Sequence, residues 1–357
     1  MRDPFPFPPL PALNKAVQPY VEQYSLPTLP LHIHEVFGAA LFYTFIHLVV
    51  SPVISNWFFP KHYPKNSRGK KANWDAHVVS LVQSTLINGL ALWVMFTDKE
   101  RKGMVDWQQR VYGYTGAAGM VQALAAGYFV WDLVTTVLFL DVFGLGLLAH
   151  AFSALLVYSF GFRPFLNYYG CVFILYELST PFLNIHWFFD KLNMTGSRAQ
   201  LYNGIALLFT FFSCRLIWGT YQSVCVYADM WQAIHSSPDA GYIAATHSNS
   251  TTLTDPDANI MAFATDATPI PLWLAGIYVG SNIVLNMLNW HWFFKMITAV
   301  KKRFEPPREV KVEAKSLDGA ASTGAKPKAV ATTLHRRRHS IEDVVPDSDD
   351  LRDGTIQ

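Results

Sequence analysis

The chain has 357 residues, is 51% hydrophobic and 15% aromatic, and carries a formal net charge of +2. A mean hydropathy of +0.17 despite a long polar tail makes it more apolar than a soluble globular domain requires. The basic residues gather in particular connections and in the tail instead of forming a continuous stripe, which excludes a nucleic-acid groove as the organising feature.

Residues 1–34 are proline-rich and lack the basic region followed by an apolar core that marks a cleaved secretory signal, so the first apolar span is expected to stay as an anchor. A helix rises about 1.5 Å per residue and the hydrocarbon core is about 30 Å thick, so each crossing needs about 20 apolar residues. The hydropathy pattern places crossings at 36–55, 77–96, 117–138, 143–161, 166–185, 201–225 and 271–295. The third and fourth share one apolar run too long for a single crossing, and Asp141 and Gly144 supply the turn of a tight hairpin. The expected organisation is an N-terminal lumenal segment over 1–34, a multi-pass all-α membrane domain of about seven helices over 35–300, and a disordered cytosolic tail over 301–357.

Orientation follows from Lys and Arg in the connections, because excess positive charge stays cytosolic. Lys61, Lys65, Arg68, Lys70 and Lys71 lie after the first span and Lys301, Lys302 and Arg303 after the last, whereas residues 229–270 contain neither Lys nor Arg. An odd number of spans satisfies all three, with the C-terminus cytosolic. The second connection dissents, since Lys99, Arg101, Lys102 and Arg110 fall on the lumenal side among Asp98, Glu100 and Asp106. Asn249-Ser250-Thr251 is a glycosylation sequon placed lumenally, and Ser340 after Arg336-Arg337-Arg338 resembles a basic-directed phosphorylation site. Asn56-Trp57-Phe58-Phe59, His186-Trp187-Phe188-Phe189 and His291-Trp292-Phe293-Phe294 repeat one aromatic signature, each with a lysine within two residues, and read as an interfacial belt.

Several polar groups are out of place in lipid. Ser80, Ser84 and Asn88 recur at helical spacing with Gln83 beside them, and Asn282, Asn286 and Asn289 do so on the last span. Such stripes serve either interhelical hydrogen bonding or a shared cavity for lipid headgroups. His47, Asp132, His150, Glu177 and Arg215 lie deeper, and Arg215 is expected to pair with Asp132 or Glu177. His150 is a candidate general base, because a neutral imidazole takes up protons near pH 7. Cys171, Cys214 and Cys225 have neither metal-knuckle nor disulfide-framework spacing and are expected to be buried and inert. No Gly-rich phosphate loop, His-Glu-x-x-His zinc helix or Gly-x-Ser-x-Gly elbow occurs, so neither a metal nor a cofactor is expected.

Trp74-Asp75 leading into Val79-Ser80, Gly127-Tyr128-Phe129-Val130-Trp131-Asp132, His150, and Glu177-Leu178-Ser179-Thr180-Pro181-Phe182 together resemble the TLC-domain family, over about residues 70–300. The order and spacing of the last two motifs match its smaller branch more closely than the ceramide synthases; His150 is followed by Ala151 with no second histidine and Gln83 stands where relatives often carry His, departures that weigh against acyl transfer. The resemblance implies an endoplasmic reticulum membrane protein whose helical barrel encloses a lipid-accessible cavity. Its expected role is lipid homeostasis, binding or sensing a phospholipid or sphingolipid through Glu177, Arg215, Ser80, Gln83, Ser84, Asn282 and Asn286. The alternative it implies is a lipid acyltransferase with acyl-CoA as co-substrate, His150 as base and Asp132 as the carboxylate that orients it. A third reading is a scaffold whose tail recruits cytosolic partners.

Overall fold

The computed structural model describes residues 1–236, 260–264 and 270–304, and the described residues form helices and no strands. Asn249, Ser340 and the tail beyond residue 304 lie outside the described residues. A short helix α1 (Pro11–Tyr24) precedes six helices long and apolar enough to cross a membrane. These are α2 (Leu29–Phe58), α3 (Arg68–Thr97), α4 (Gly116–Leu138), α5 (Leu140–Phe160), α8 (Arg198–His235) and the last, α9 (Leu272–Phe304).

The crossing expected at 166–185 is a composite, continuous helical run. It consists of α6 (Asn167–Phe173), a 3-10 segment (Ile174–Ser179) and α7 (Thr180–Lys191). At about 1.5 Å per α residue and about 2.0 Å per 3-10 residue, this run is roughly 40 Å long, enough to cross the hydrocarbon. The break has a local cause: Pro181 lacks an N–H, so the α ladder is interrupted one turn earlier, where Glu177 sits.

Contacts between connections fix the threading. At one end, which we call the amino-terminal face, the backbone N–H of Thr28 bonds to Phe162 O, Leu166 N–H to Val111 O, Tyr114 N–H to Ile260 O and Ile270 N–H to Ala233 O. At the opposite face, Tyr63 donates to Asp75, Arg68 lies 5.1 Å over the Phe139 ring, and Trp74 meets Trp187 at 5.7 Å. Successive connections therefore alternate between faces, which requires seven passes. The expected hairpin is present, but the chain turns at Phe139, which leaves the helical region, while Asp141 is already inside α5; Gly144 adopts φ 72°, a left-handed conformation open to glycine.

Helix α4 is the hub, with 61% of its apolar window buried against 22–39% for the other long helices. Its small residues permit this. A methyl group added at Gly127 would overlap the Val36 carbonyl and the Ala39 side chain of α2, so the two backbones touch there. The outer surface is apolar instead, with Leu48, Val53, Phe96, Leu138, Leu145, Phe209 and Met287 all exposed. A protein with its oil on the outside and its polar groups within has the polarity a bilayer demands.

The three aromatic signatures separate. Trp57 is 77% exposed and fits the expected belt. Trp187 instead turns inward against Trp74 and stacks on His77 at 4.0 Å, and Trp292 reaches His150 at 5.7 Å. The belt reading is thus corrected for two of the three, because those two rings lie on helix faces that pack against neighbouring helices. Trp74-Asp75 ties α3 to α2. The Trp74 indole donates to Ser55 at 2.9 Å, and Asp75 accepts from Ser51 at 2.6 Å and from Tyr63 at 3.1 Å. Burial and the Asp75 carboxylate push the Tyr63 phenol up, so it remains a donor. All three cysteines are free; Cys171 and Cys214 are buried, whereas Cys225 is only partly so.

Candidate functional site: a polar cavity within the helical barrel

Asp132, His150, Glu177, Arg215 and Ser80 come from five different helical segments and line one cavity of about 310 Å³. That volume matches the small end of ligand sites. The walls are the halves of α3, α4, α5, α7 and α9 that lie toward the opposite face, so the cavity leads to the end carrying the basic first connection.

Its floor is an ion pair. Arg215 Nη2 lies 3.4 Å from Glu177 Oε1 and also donates to Thr180 Oγ1 at 3.0 Å, while Nε reaches Ser179 Oγ and Nη1 reaches Asn289 Oδ1, both at 3.1 Å. The guanidinium also sits 5.1 Å over the Phe211 ring. Two irregular helical segments are used here. The 3-10 turn presents Glu177 and Ser179, and the first residue of α7 presents Thr180, to one cation, and a π-helical stretch over Phe212–Trp218 carries Arg215 toward them. Of the two acids expected for Arg215, Glu177 is the partner.

Asp132 makes no hydrogen bond or salt bridge with any described residue, and its carboxyl group faces the cavity. His150 is similarly uncommitted: its Nδ1 is buried without a hydrogen-bond partner, and its ring meets Phe129 and Trp292. The expected bond between Asp132 and His150 is not formed. His150 and Glu177 also line a second cavity of about 80 Å³ with Asn282, Tyr158 and Tyr278, so these two side chains form part of the partition between the chambers.

The polar stripes divide between cavity and packing. Ser80 lines the large cavity and accepts from Asn184, whose side-chain oxygen is 2.7 Å from His77 Nδ1. Ser84 bonds back to the Ser80 carbonyl of its own helix, and Asn286 donates to Asn282 on its own helix and to Ser223 of α8, so only the last of these bonds joins two helices. Gln83 is fully buried outside both cavities with its amide unpaired. Sequence reasoning missed His77, Asn184, His291 and Lys295, all of which line the large cavity. They sit near span ends, where polar residues ordinarily mark the interface; the signal available was the helical spacing of His77 from Ser80, and of His291 and Lys295 from each other.

The TLC domain (TRAM_LAG1_CLN8) matches residues 73–298, which include every residue lining the large cavity. The chain is 38% identical to an uncharacterized TLC domain-containing protein of Schizosaccharomyces pombe, over 82% of this chain and 87% of that protein. It is 28% identical to topoisomerase I damage affected protein 4 of Saccharomyces cerevisiae, over 79% and 89% respectively. TLC domain-containing protein 4 of Homo sapiens is 32% identical over 46% of this chain and 62% of its own length.

Proposed function

We propose that this chain, which belongs to the TLC-domain family of multi-pass membrane proteins, holds the headgroup of a phospholipid or sphingolipid in its polar cavity and serves lipid homeostasis in the endoplasmic reticulum membrane. The observation that carries this reading is the unpaired Asp132 carboxyl group in a cavity whose surrounding barrel is apolar outside. A carboxyl group at membrane depth without a protein partner calls for a polar ligand or water. Leu183, Phe143 and Met296 along the same walls offer apolar contact to acyl chains. The test is mass spectrometry of lipid retained by the purified protein. Asp132→Asn and Glu177→Ala are expected to lower the retained lipid, and equal occupancy in all three proteins refutes the reading.

The amino-terminal face is lumenal and the C-terminus cytosolic in this proposal. Supporting it, Lys61, Lys65, Arg68, Lys70 and Lys71 are all exposed at the opposite face. The dissenting basic residues of the second connection are largely spoken for. Arg110 forms a bidentate pair with Asp229 at 2.7 Å, which pushes its guanidinium up, and Arg101 is buried, donating to the Tyr168 carbonyl at 2.8 Å. A lumenal Asn249 should carry a glycan, so Asn249→Gln should abolish a glycosidase-sensitive mobility shift; Ser340 is the corresponding cytosolic phosphorylation site.

A second reading is favoured by one observation, the unpartnered His150 Nδ1 in a cavity wall. There the imidazole takes a proton from a lipid amine or hydroxyl as that nitrogen or oxygen attacks the carbonyl of an acyl thioester such as acyl-CoA, and returns the proton to the departing thiolate as the C–S bond breaks, leaving an acylated lipid and free CoA. Acyl transfer that persists unchanged in His150→Ala removes this histidine from such a mechanism.

A further inference from the structure

We propose that Asp3, His32 and Glu35 form a site for one divalent cation of the zinc class at the amino-terminal face, separate from the lipid cavity. His32 Nδ1 lies 2.9 Å from Glu35 Oε2 and 3.5 Å from Asp3 Oδ2, and the three candidate ligand atoms all lie within 4.8 Å of one another. Tetrahedral zinc with bonds of about 2.0–2.2 Å places its ligand atoms roughly 3.3–3.6 Å apart, so small shifts suffice to close these atoms on an ion.

The sequence builds this arrangement in two parts. His32 and Glu35 are one helical turn apart at the start of α2 and share a face. Asp3 is brought over them because Gly116 and Gly119 of α4 leave room: a Cβ at 116 would meet the Asp3 backbone, and one at 119 would overlap the His32 ring.

Two further observations point to a ligand. Glu35 is fully buried, yet its Oε1 has no hydrogen-bond partner. His32 Nε2 lies 2.6 Å from the Tyr114 hydroxyl, an outer contact of the kind that fixes the ring of a metal-binding histidine. With that nitrogen donating to Tyr114, the Nδ1 lone pair faces two carboxyl groups, an arrangement a cation between them relieves. One imidazole with two carboxylates suits zinc-class ions, whereas calcium and magnesium take oxygen-only sets. Asp3 is 29% exposed and gives the ion a way in.

The competing arrangement is a proton shared between Asp3 and Glu35. Full-length protein in lipid nanodiscs, stripped with chelator and titrated with zinc chloride, separates the two. The parent should bind one zinc per chain, with nitrogen and oxygen ligands at about 2.0–2.2 Å by X-ray absorption. Asp3→Asn should weaken binding at least tenfold, Glu35→Gln should abolish it, and chelation should lower the unfolding temperature of the parent more than that of Asp3→Asn. Asp3 lies on a partly exposed arm, so its variant remains informative if Glu35→Gln fails to fold. Equal zinc affinity in parent and Asp3→Asn, or no zinc retained by the parent, overturns the proposal.

Discussion

Replacing Glu177 with leucine strands the Arg215 guanidinium among three neutral acceptors, Ser179, Thr180 and Asn289. At the 3.4 Å separation of the pair, the gross attraction with an effective dielectric constant of about 20 is about 5 kcal/mol. Losing one partner of a buried pair costs about 3–5 kcal/mol, and the three surviving hydrogen bonds put Glu177→Leu near the lower end, about 3 kcal/mol. Adding Arg215→Met removes the orphaned charge. The double variant should then lie about 1.5 kcal/mol below the parent, with the remaining deficit coming chiefly from the donor lost to buried Asn289. Unfolding in detergent micelles, run as a double-mutant cycle, should therefore show the second substitution recovering about 1.5 kcal/mol of what the first removed. A double variant no more stable than Glu177→Leu alone would refute the claim that these residues neutralise one another in the barrel.

Three further expectations concern the frame around the site. Gly127→Ala drives a methyl group into the Val36 carbonyl and should destabilise the protein by about 1–3 kcal/mol; a thermal midpoint equal to the parent's would show that α2 and α4 are not in backbone contact. Trp74→Phe keeps an aromatic six-membered ring but removes the fused pyrrole ring and its N–H, leaving buried Ser55 without its indole donor and a small void beside it, so unfolding should reveal a loss of at least about 1–2 kcal/mol, whereas Trp57→Phe on the exposed rim should change stability by less than about 0.5 kcal/mol. Arg110→Met leaves Asp229 with the Tyr169 hydroxyl as its remaining donor and should speed amide exchange in Trp107–Tyr112 while leaving the Glu177 segment unaffected; uniform acceleration would mean that the pair holds more than its own corner.

Much of the architecture could be read before any coordinates, because bilayer thickness converts apolar run length directly into crossings. The hairpin, with Gly144 as its irregular residue, and the pairing capacity of Arg215 belong to that legible part, whereas the turn at Phe139 in place of Asp141 does not. What escaped depended on azimuth and on distance along the chain. A stripe such as Ser80, Gln83 and Ser84 shows that one face is polar without saying which neighbour it meets, and only Ser80 reaches the large cavity. The choice of Glu177 over Asp132 rests on the 3-10 turn ahead of Pro181, whose effect on side-chain direction is not encoded in hydropathy. The cluster of Asp3, His32 and Glu35 was hidden for another reason: its first two members lie 29 positions apart, and His32 and Glu35 resemble ordinary residues at the mouth of a span.

The join between α4 and α5 sets a mechanical constraint on everything the cavity does. Only Phe139 separates Leu138 from Leu140, so the two antiparallel helices share a common zero from which position is counted in both directions. Asp132 lies seven residues before that joint and His150 eleven after it. One residue inserted anywhere between Gly144 and His150 would turn the imidazole by about 100° around its helix, like a gear slipping a tooth, and carry it off the wall it shares with both chambers. The length of this stretch therefore matters as much as its chemistry, and substitutions there should be tolerated far more readily than insertions or deletions.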